Sequence, residues 1–244
     1  MGRPPRLAVI GDADTDRPPD IPDLRVVPAT AALLSRPIDV DAVYLGGVDQ
    51  VRARRLKADF TTRSGVPCLT REEMTAVGLA GRLLVLLTRT GRPPAAARVV
   101  IVESTAIPTL CPLLLALGVG DIVSWEPTDA LSYPLRRITY RSDAVIDPLG
   151  GGVPVVLPST DEGQPPLVAA DDPGYPLLAL PGLVRALLAK PGAQADFDVL
   201  RACAYALAAR TREGRWLPDQ GDSELTPMVL AMAGRVLSRL HIDR

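Results

Sequence analysis

Short apolar runs alternate with longer stretches of helical period along this chain, and that alternation is its first structural signal. RLAVI at 6–10 is an apolar run closed by Gly11-Asp12, the pattern of a buried strand. DTDRPPDIPD at 14–23 is too broken by proline for a helix or a central strand. Residues 29–35 have helical spacing, and AVYL at 42–45 is a strand that stops at Gly46-Gly47. Residues 48–63 predict a helix with a basic outer face, and 65–69 a further strand. Thr70-x-x-Glu73 is a capping box opening a helix to about Leu87. The stretch 88–97, with Gly91, Pro93 and Pro94, is the best candidate domain boundary.

The second half repeats the alternation. Strand 99–102, helix 109–117 and strand 121–125 form a βαβ unit. Strands follow at 143–146 and 153–157, separated by Gly150-Gly151-Gly152, and 158–176 reads as a long loop rich in Pro, Asp and Gly. Helical patterns cover 183–189, 197–210 and 227–240. The expectation is α/β with largely parallel strands: a small α/β domain over 1–92, then a Rossmann-like domain with C-terminal helices over 93–244.

Composition narrows the function classes. The 244 residues are 47% apolar with a net charge of −1, which suits a globular fold and supplies no field for nucleic acid or an anionic membrane. Cys68, Cys111 and Cys203 are widely spaced and odd in number, so neither a disulfide framework nor a zinc site follows. The N-terminus has no apolar signal core, and the apolar run 110–119 is too short to span a bilayer. A soluble, cytoplasmic protein is expected. Only Lys57 and Lys190 are lysines, which confines amine chemistry to two positions.

Several stretches, taken in order, resemble the malic enzymes. YLGGVDQVRARRLKADFTTRSGVPCLTREEMTAVGLAGRLLVLL (44–87) is similar to that family's metal-binding strand and helix with the substrate loop and long helix after it. RVVIVESTAIPTLCPLLLALGVGDIVSWEP (98–127) resembles the start of its NAD(P)-binding domain, and VPVVLPST stands where the family has a strand ending in Asn-Pro. YPLLALPGLVRALL resembles its terminal Asn-Asn-x-x-x-Phe-Pro-Gly-x-x-Arg segment, with Pro181, Gly182 and Arg185 kept. The resemblance covers roughly 6–240 and implies an N-terminally truncated relative, without the first third that carries the family's catalytic tyrosine and lysine.

What the resemblance implies about chemistry is mostly loss. Oxidative decarboxylation of a 2-hydroxy acid needs a hydride acceptor, a base and a divalent cation. The family's adjacent Glu-Asp metal ligands are replaced by Gly46-Gly47, and its Asp-Asp pair by Arg71-Glu72, where only Glu72 could serve and Arg71 would repel a cation. Lys57 and Lys190 match no family lysine and read as solvated surface groups; His241, the single histidine, lies four residues from the C-terminus. Ser159 and Tyr175-Pro176 stand where substrate asparagines would be. The glycine-rich phosphate loop is replaced by Glu103-Ser104-Thr105-Ala106-Ile107-Pro108, whose Glu103 would repel a pyrophosphate and whose Pro108 removes an N–H. Ser104 and Thr105 keep donors, and Glu126 matches the ribose-binding acid; the bland alternative is a capping hydroxyl and a solvated strand-end acid. No cofactor is expected, with at most weak residual NAD(P) binding through Glu103, Ser104, Thr105 and Glu126.

The remaining motifs are faint. Asp12, Asp14 and Asp16 after a strand resemble a phosphotransferase DxDxT nucleophile loop without its last residues. The glycines at 150–152 precede a strand and read as a turn, and 219–227 reads as a surface loop. Arg52, Arg54, Arg55 and Arg63 form a basic helix face suited to solvent or a subunit contact. Three functions stay open. One is a non-redox pseudoenzyme or interaction protein, acting as a homodimer or with a protein partner. The second is a repurposed metal-independent enzyme of specialised metabolism, drawing on Glu72, Glu73 and Tyr175 beside Glu103, Ser104 and Thr105. The third is a sensor of a nucleotide or organic acid. A filled cleft would favour the first, and an open one with two carboxylates the second.

Overall fold

The computed structural model of the chain describes residues 3–11, 21–30, 39–150, 165–170 and 175–240. Two four-stranded parallel sheets carry the architecture. The first contains β1 (Arg6–Ile10), β2 (Arg25–Ala29), β3 (Ala42–Leu45) and β4 (Cys68–Thr70) in the order β2-β1-β3-β4. The second contains β5 (Arg98–Val102), β6 (Asp121–Trp125), β7 (Ala144–Asp147) and β8 (Leu167–Ala169) in the matching order β6-β5-β7-β8. In each sheet the chain reverses its direction of travel between the first and third strands, and ligands of such sheets bind outside the carboxyl ends at that switch point. The chain is α/β and Rossmann-like, as its alternating pattern predicts.

Strands buried on both faces explain the continuous apolar runs. Leu7 and Val9 of β1 face a large core shared with Val99, Ile101 and Ile146 of the second sheet. Ala8 and Ile10 turn the other way, under α1 (Gln50–Ser64), to meet Ala53 and Phe60. On the far side of the second sheet Val100, Val102 and Val145 pack with Trp125 and Leu135, the latter from the short helix α4 (Leu135–Ile138). Between the sheets runs α2 (Arg71–Arg89), apolar almost all round, as a fully packed helix must be. With it in the shared core lie α3 (Leu110–Ala116), α5 (Leu180–Leu188), α6 (Phe197–Arg210) and α7 (Leu225–Leu240). Cys68 and Cys203 are buried, and burial pushes both thiols up to about 12, so they act as packing groups.

Two strands differ from the sequence pattern. Ala29, read as a helix start, ends β2, an edge strand where Pro28 is tolerated because its missing N–H faces away from the ladder; the rest of that helical stretch lies outside the described residues. The stretch 158–176, read as loop, contains β8, three residues paired with β7 and preceded by two prolines that hid it. Asp222, placed in a surface loop by the sequence, makes a two-point ion pair with Arg210 at 2.8 and 2.9 Å with its side chain 8% exposed. The strand at 153–157, Ser159, the aspartates at 12, 14 and 16, and His241 lie outside the described residues. Among the described residues no helix is long and apolar enough to cross a membrane.

α5 and α7 meet closely at Gly182 of α5, where an added Cβ would sit 2.5 Å from Val229 Cβ and 2.7 Å from the Thr226 carbonyl oxygen of α7. Any side chain there must push the two helices apart. Gly182→Ala is therefore expected to lower unfolding stability by about 1–3 kcal/mol, read as a drop in urea midpoint; an unchanged midpoint would show that the helices are not in this contact.

Candidate functional site

The carboxyl ends of both sheets face one cleft, with a volume of 310 Å³. Leu45, Val48 and Ala53 line it from the first sheet and α1, and Ile107, Leu149 and Pro176 from the opposite side. The N-terminal turns of α2 supply its polar wall: Thr70, Arg71, Glu72 and Thr75. The cleft is open, and Glu72 is the one carboxylate among the described residues that line it. Ile107 forms part of its wall, whereas Pro108 is exposed.

The loop after β5 keeps the backbone shape of a tight strand-to-helix turn while filling it with different chemistry. Glu103 sits in the left-handed region at φ 51°, a conformation that favours glycine, and its N–H donates to the Trp125 carbonyl at 2.8 Å. Three side chains, of Glu126, Gln50 and Glu72, then hold the loop. Ser104 Oγ and Thr105 N–H donate to Glu126 Oε1 at 3.0 and 3.2 Å, and Thr105 Oγ1 reaches Oε2 at 3.4 Å. Gln50 Nε2 donates to the Ala106 carbonyl at 2.7 Å. Thr109 donates to Glu72 Oε1 through its N–H at 3.0 Å and its hydroxyl at 2.7 Å. Ser104 and Thr105 therefore do not cap α3, and Glu126 is not a free strand-end acid: each occupies the other.

Glu72 and Glu73 are neighbours with separate partners. The Glu72 side chain, 7% exposed, accepts a forked pair of bonds from Arg54 at 3.0 and 3.1 Å in addition to those from Thr109. Burial pushes its carboxyl up, but the hydrogen bonds from Arg54 and Thr109 outweigh burial and hold it below the usual carboxylate range. Glu73 closes the capping box of α2, accepting from the Thr70 N–H at 2.9 Å while Thr70 Oγ1 accepts the Glu73 N–H at 3.2 Å, and it pairs with Lys57. Lys57 is thus a partly buried ion-pair partner and not the solvated lysine its helix position suggested. Tyr175 opens a short helical turn, Tyr175–Leu177, next to the lining residue Pro176; its side chain is outside the description. Gln50 and Thr75 were missed by the sequence reading. Gln50 carries no local signal, while Thr75, a hydroxyl within the buried run that starts at Met74, does.

The residues present do not fit a divalent cation or a nucleotide in the manner the resemblance implies. The N–H groups of Gly46 and Gly47 both donate to the Ile10 carbonyl, and a Cβ on Gly46 would lie 2.9 Å from the buried Tyr44 ring, so the turn after β3 offers no ligand side chain. Among the described residues no three His, Cys, Asp or Glu side chains come together. Glu72 is spent on Arg54 and Thr109. A cofactor phosphate at the start of α3 would meet a carboxylate already bonded to the Thr109 N–H, and a ribose would have to displace Ser104 and Thr105 from Glu126.

Comparison with known proteins agrees on the fold. No protein-family model and no curated protein matches the chain. Solved structures do. A malic enzyme from Pyrococcus horikoshii superposes with a TM-score of 0.76 at 12% identity, over 97% of this chain and 77% of that one. An NAD-dependent malic enzyme from Thermotoga maritima gives 0.70 at 14% identity, over 94% and 84%. A malic enzyme from Entamoeba histolytica gives 0.75 at 13%, over 97% and 70%. The chain has a malic-enzyme-like fold.

The bonds on Glu72 set a pH dependence. A carboxyl whose folded value is depressed contributes stability above its unfolded value of about 4.3 and loses it as pH falls through the folded value. Glu72→Gln is expected to cost about 1–3 kcal/mol at pH 7, with the gap from wild type closing below about pH 4. Urea unfolding of both proteins across pH checks this, and a pH-independent gap would remove Glu72's charge from the account.

Proposed function

We propose that this chain is a malic-enzyme-fold protein that no longer carries out oxidative decarboxylation and works as a non-redox pseudoenzyme or interaction protein. One observation carries the reading: the chain's own Glu72 carboxylate bonds the Thr109 N–H, where α3 begins and where a dinucleotide phosphate would bind in such a fold. The lock of Ser104 and Thr105 onto Glu126 supports it from the ribose side. The proposal includes two domains, 1–92 and 93–244, in keeping with the change of sheet between α2 and β5, and a homodimeric or partner-bound form. Leu131, Tyr133 and Tyr140, all exposed in the β6–β7 connection, support a protein-binding surface.

A second reading rests on the open cleft. Its volume favours a retained ligand site, either in a metal-independent enzyme of specialised metabolism or in an organic-acid sensor. Glu72, held ionised below the usual range, is poorly suited to donate or take a proton near neutral pH.

The purified chain, given malate with NAD⁺ or NADP⁺ and Mg²⁺ or Mn²⁺, is expected to form no reduced nucleotide above background, and calorimetric titrations with NAD⁺, NADP⁺ and ATP are expected to be flat. Malate-dependent nucleotide reduction would overturn the proposal.

A further inference from the structure

Two polar side chains of the cleft are used by nothing else in the described structure. Arg71 and Thr75 sit one turn apart on α2, the i and i+4 positions of one helix face, and both line the cleft. Arg71, the first residue of α2, is exposed and has no ion-pair or hydrogen-bond partner among the described residues. Thr75 is only 8% exposed. Thr62 and Thr88 give their hydroxyls to the carbonyl four residues back, at 2.9 and 2.8 Å, whereas Thr61 of α1 does not. Thr75 makes no such bond among the described residues, so its hydroxyl, on a residue that lines the cleft, is available to a ligand. A hydroxyl placed in this way can both donate to and accept from a bound group.

Charge selects the ligand. Arg54 is neutralised by Glu72, and Lys57 by Glu73, so among the described residues Arg71 is the unbalanced charge of this wall and it is positive. Among the described residues the opposite walls present the apolar side chains of Leu45, Val48, Ile107 and Leu149. The volume of 310 Å³ is about twice the ~150 Å³ that holds a benzene ring. We propose that the cleft binds a small monocarboxylate with an apolar body, its carboxylate held by the Arg71 guanidinium and the Thr75 hydroxyl. The guanidinium fork matches a carboxylate, and a single net charge matches a monoanion. The inference rests on the second reading above, that the cleft is a ligand site needing neither nucleotide nor metal.

The test is calorimetric titration of the intact chain, without nucleotide or divalent metal, using 4-phenylbutanoate, the neutral 4-phenylbutanamide and malate. One-to-one saturable binding of 4-phenylbutanoate is expected, with the amide and malate each weaker by about tenfold or more. Arg71→Gln should weaken the acid by about tenfold while leaving the amide unchanged, and Thr75→Val should weaken it severalfold with recovery in Thr75→Ser. Arg71→Lys, which keeps the charge and not the fork, should fall between. The proposal is overturned if the acid does not bind, if the amide or malate binds as tightly as the acid, or if Arg71→Gln binds the acid like wild type. Should a variant fail to fold, the comparison of acid with amide on the wild-type chain decides alone. Nucleotide reduction from malate would strike at the proposed function and leave this binding result independent of it.

Discussion

The carboxylate of Glu72 joins three parts of the chain that have no covalent reason to meet. Arg54 comes from the helix over the first sheet, Glu72 from the first turn of α2, and Thr109 from the entry to α3 on the second sheet. Its charge is satisfied by a forked guanidinium on one side and by an N–H and a hydroxyl on the other. Removing Arg54 or Thr109 would leave the mostly buried Glu72 carboxylate short of donors. Gln50, one turn before Arg54 on α1, adds a parallel tie to the Ala106 carbonyl. Together they fix the loop 103–109 against the first sheet, and the cleft takes its shape from that position.

The same bridge decides what the cleft can do. In an α/β sheet the start of the first helix is the natural seat for an anion, because N–H groups and the helix dipole converge there. Here that seat holds an internal carboxylate, and the acid at the end of β6 is turned inward onto Ser104 and Thr105. The turn itself survives, with Glu103 in the left-handed conformation a glycine would adopt freely. The backbone has the shape of a tight strand-to-helix turn, and its polar groups bond to the protein itself. Among the described residues that line the cleft, Arg71 and Thr75 are the polar side chains not bonded within the protein.

Much of this fold was legible in the sequence because its signals are local. The capping box of Thr70 and Glu73 marked the start of α2, AVYL before two glycines gave β3, and the period of 197–210 gave α6 to the residue. β2 and β8 were not legible: one carries a proline and the other is three residues long, and both gain their meaning from the partner strand. The site followed the same division. Glu72, Ser104, Thr105 and Glu126 were recognisable as polar residues at the ends of elements. Their partners were not, since Glu72 meets Thr109 across 37 residues and Ser104 meets Glu126 across 22, distances over which no periodicity reports contact. Thr75 offered a signal that local reading can use, a hydroxyl between the buried Met74 and Ala76.

The central claim is that the chain's own carboxylates hold the loop a nucleotide would otherwise hold. Amide hydrogen exchange at Thr105 and Thr109 measures this directly, because both N–H groups donate to those carboxylates. Both amides should exchange slowly in the free protein and at the same rate when NAD⁺ is added in excess. Fast exchange in the free protein that slows on adding NAD⁺ would contradict the account, since it would show an open loop waiting for a nucleotide.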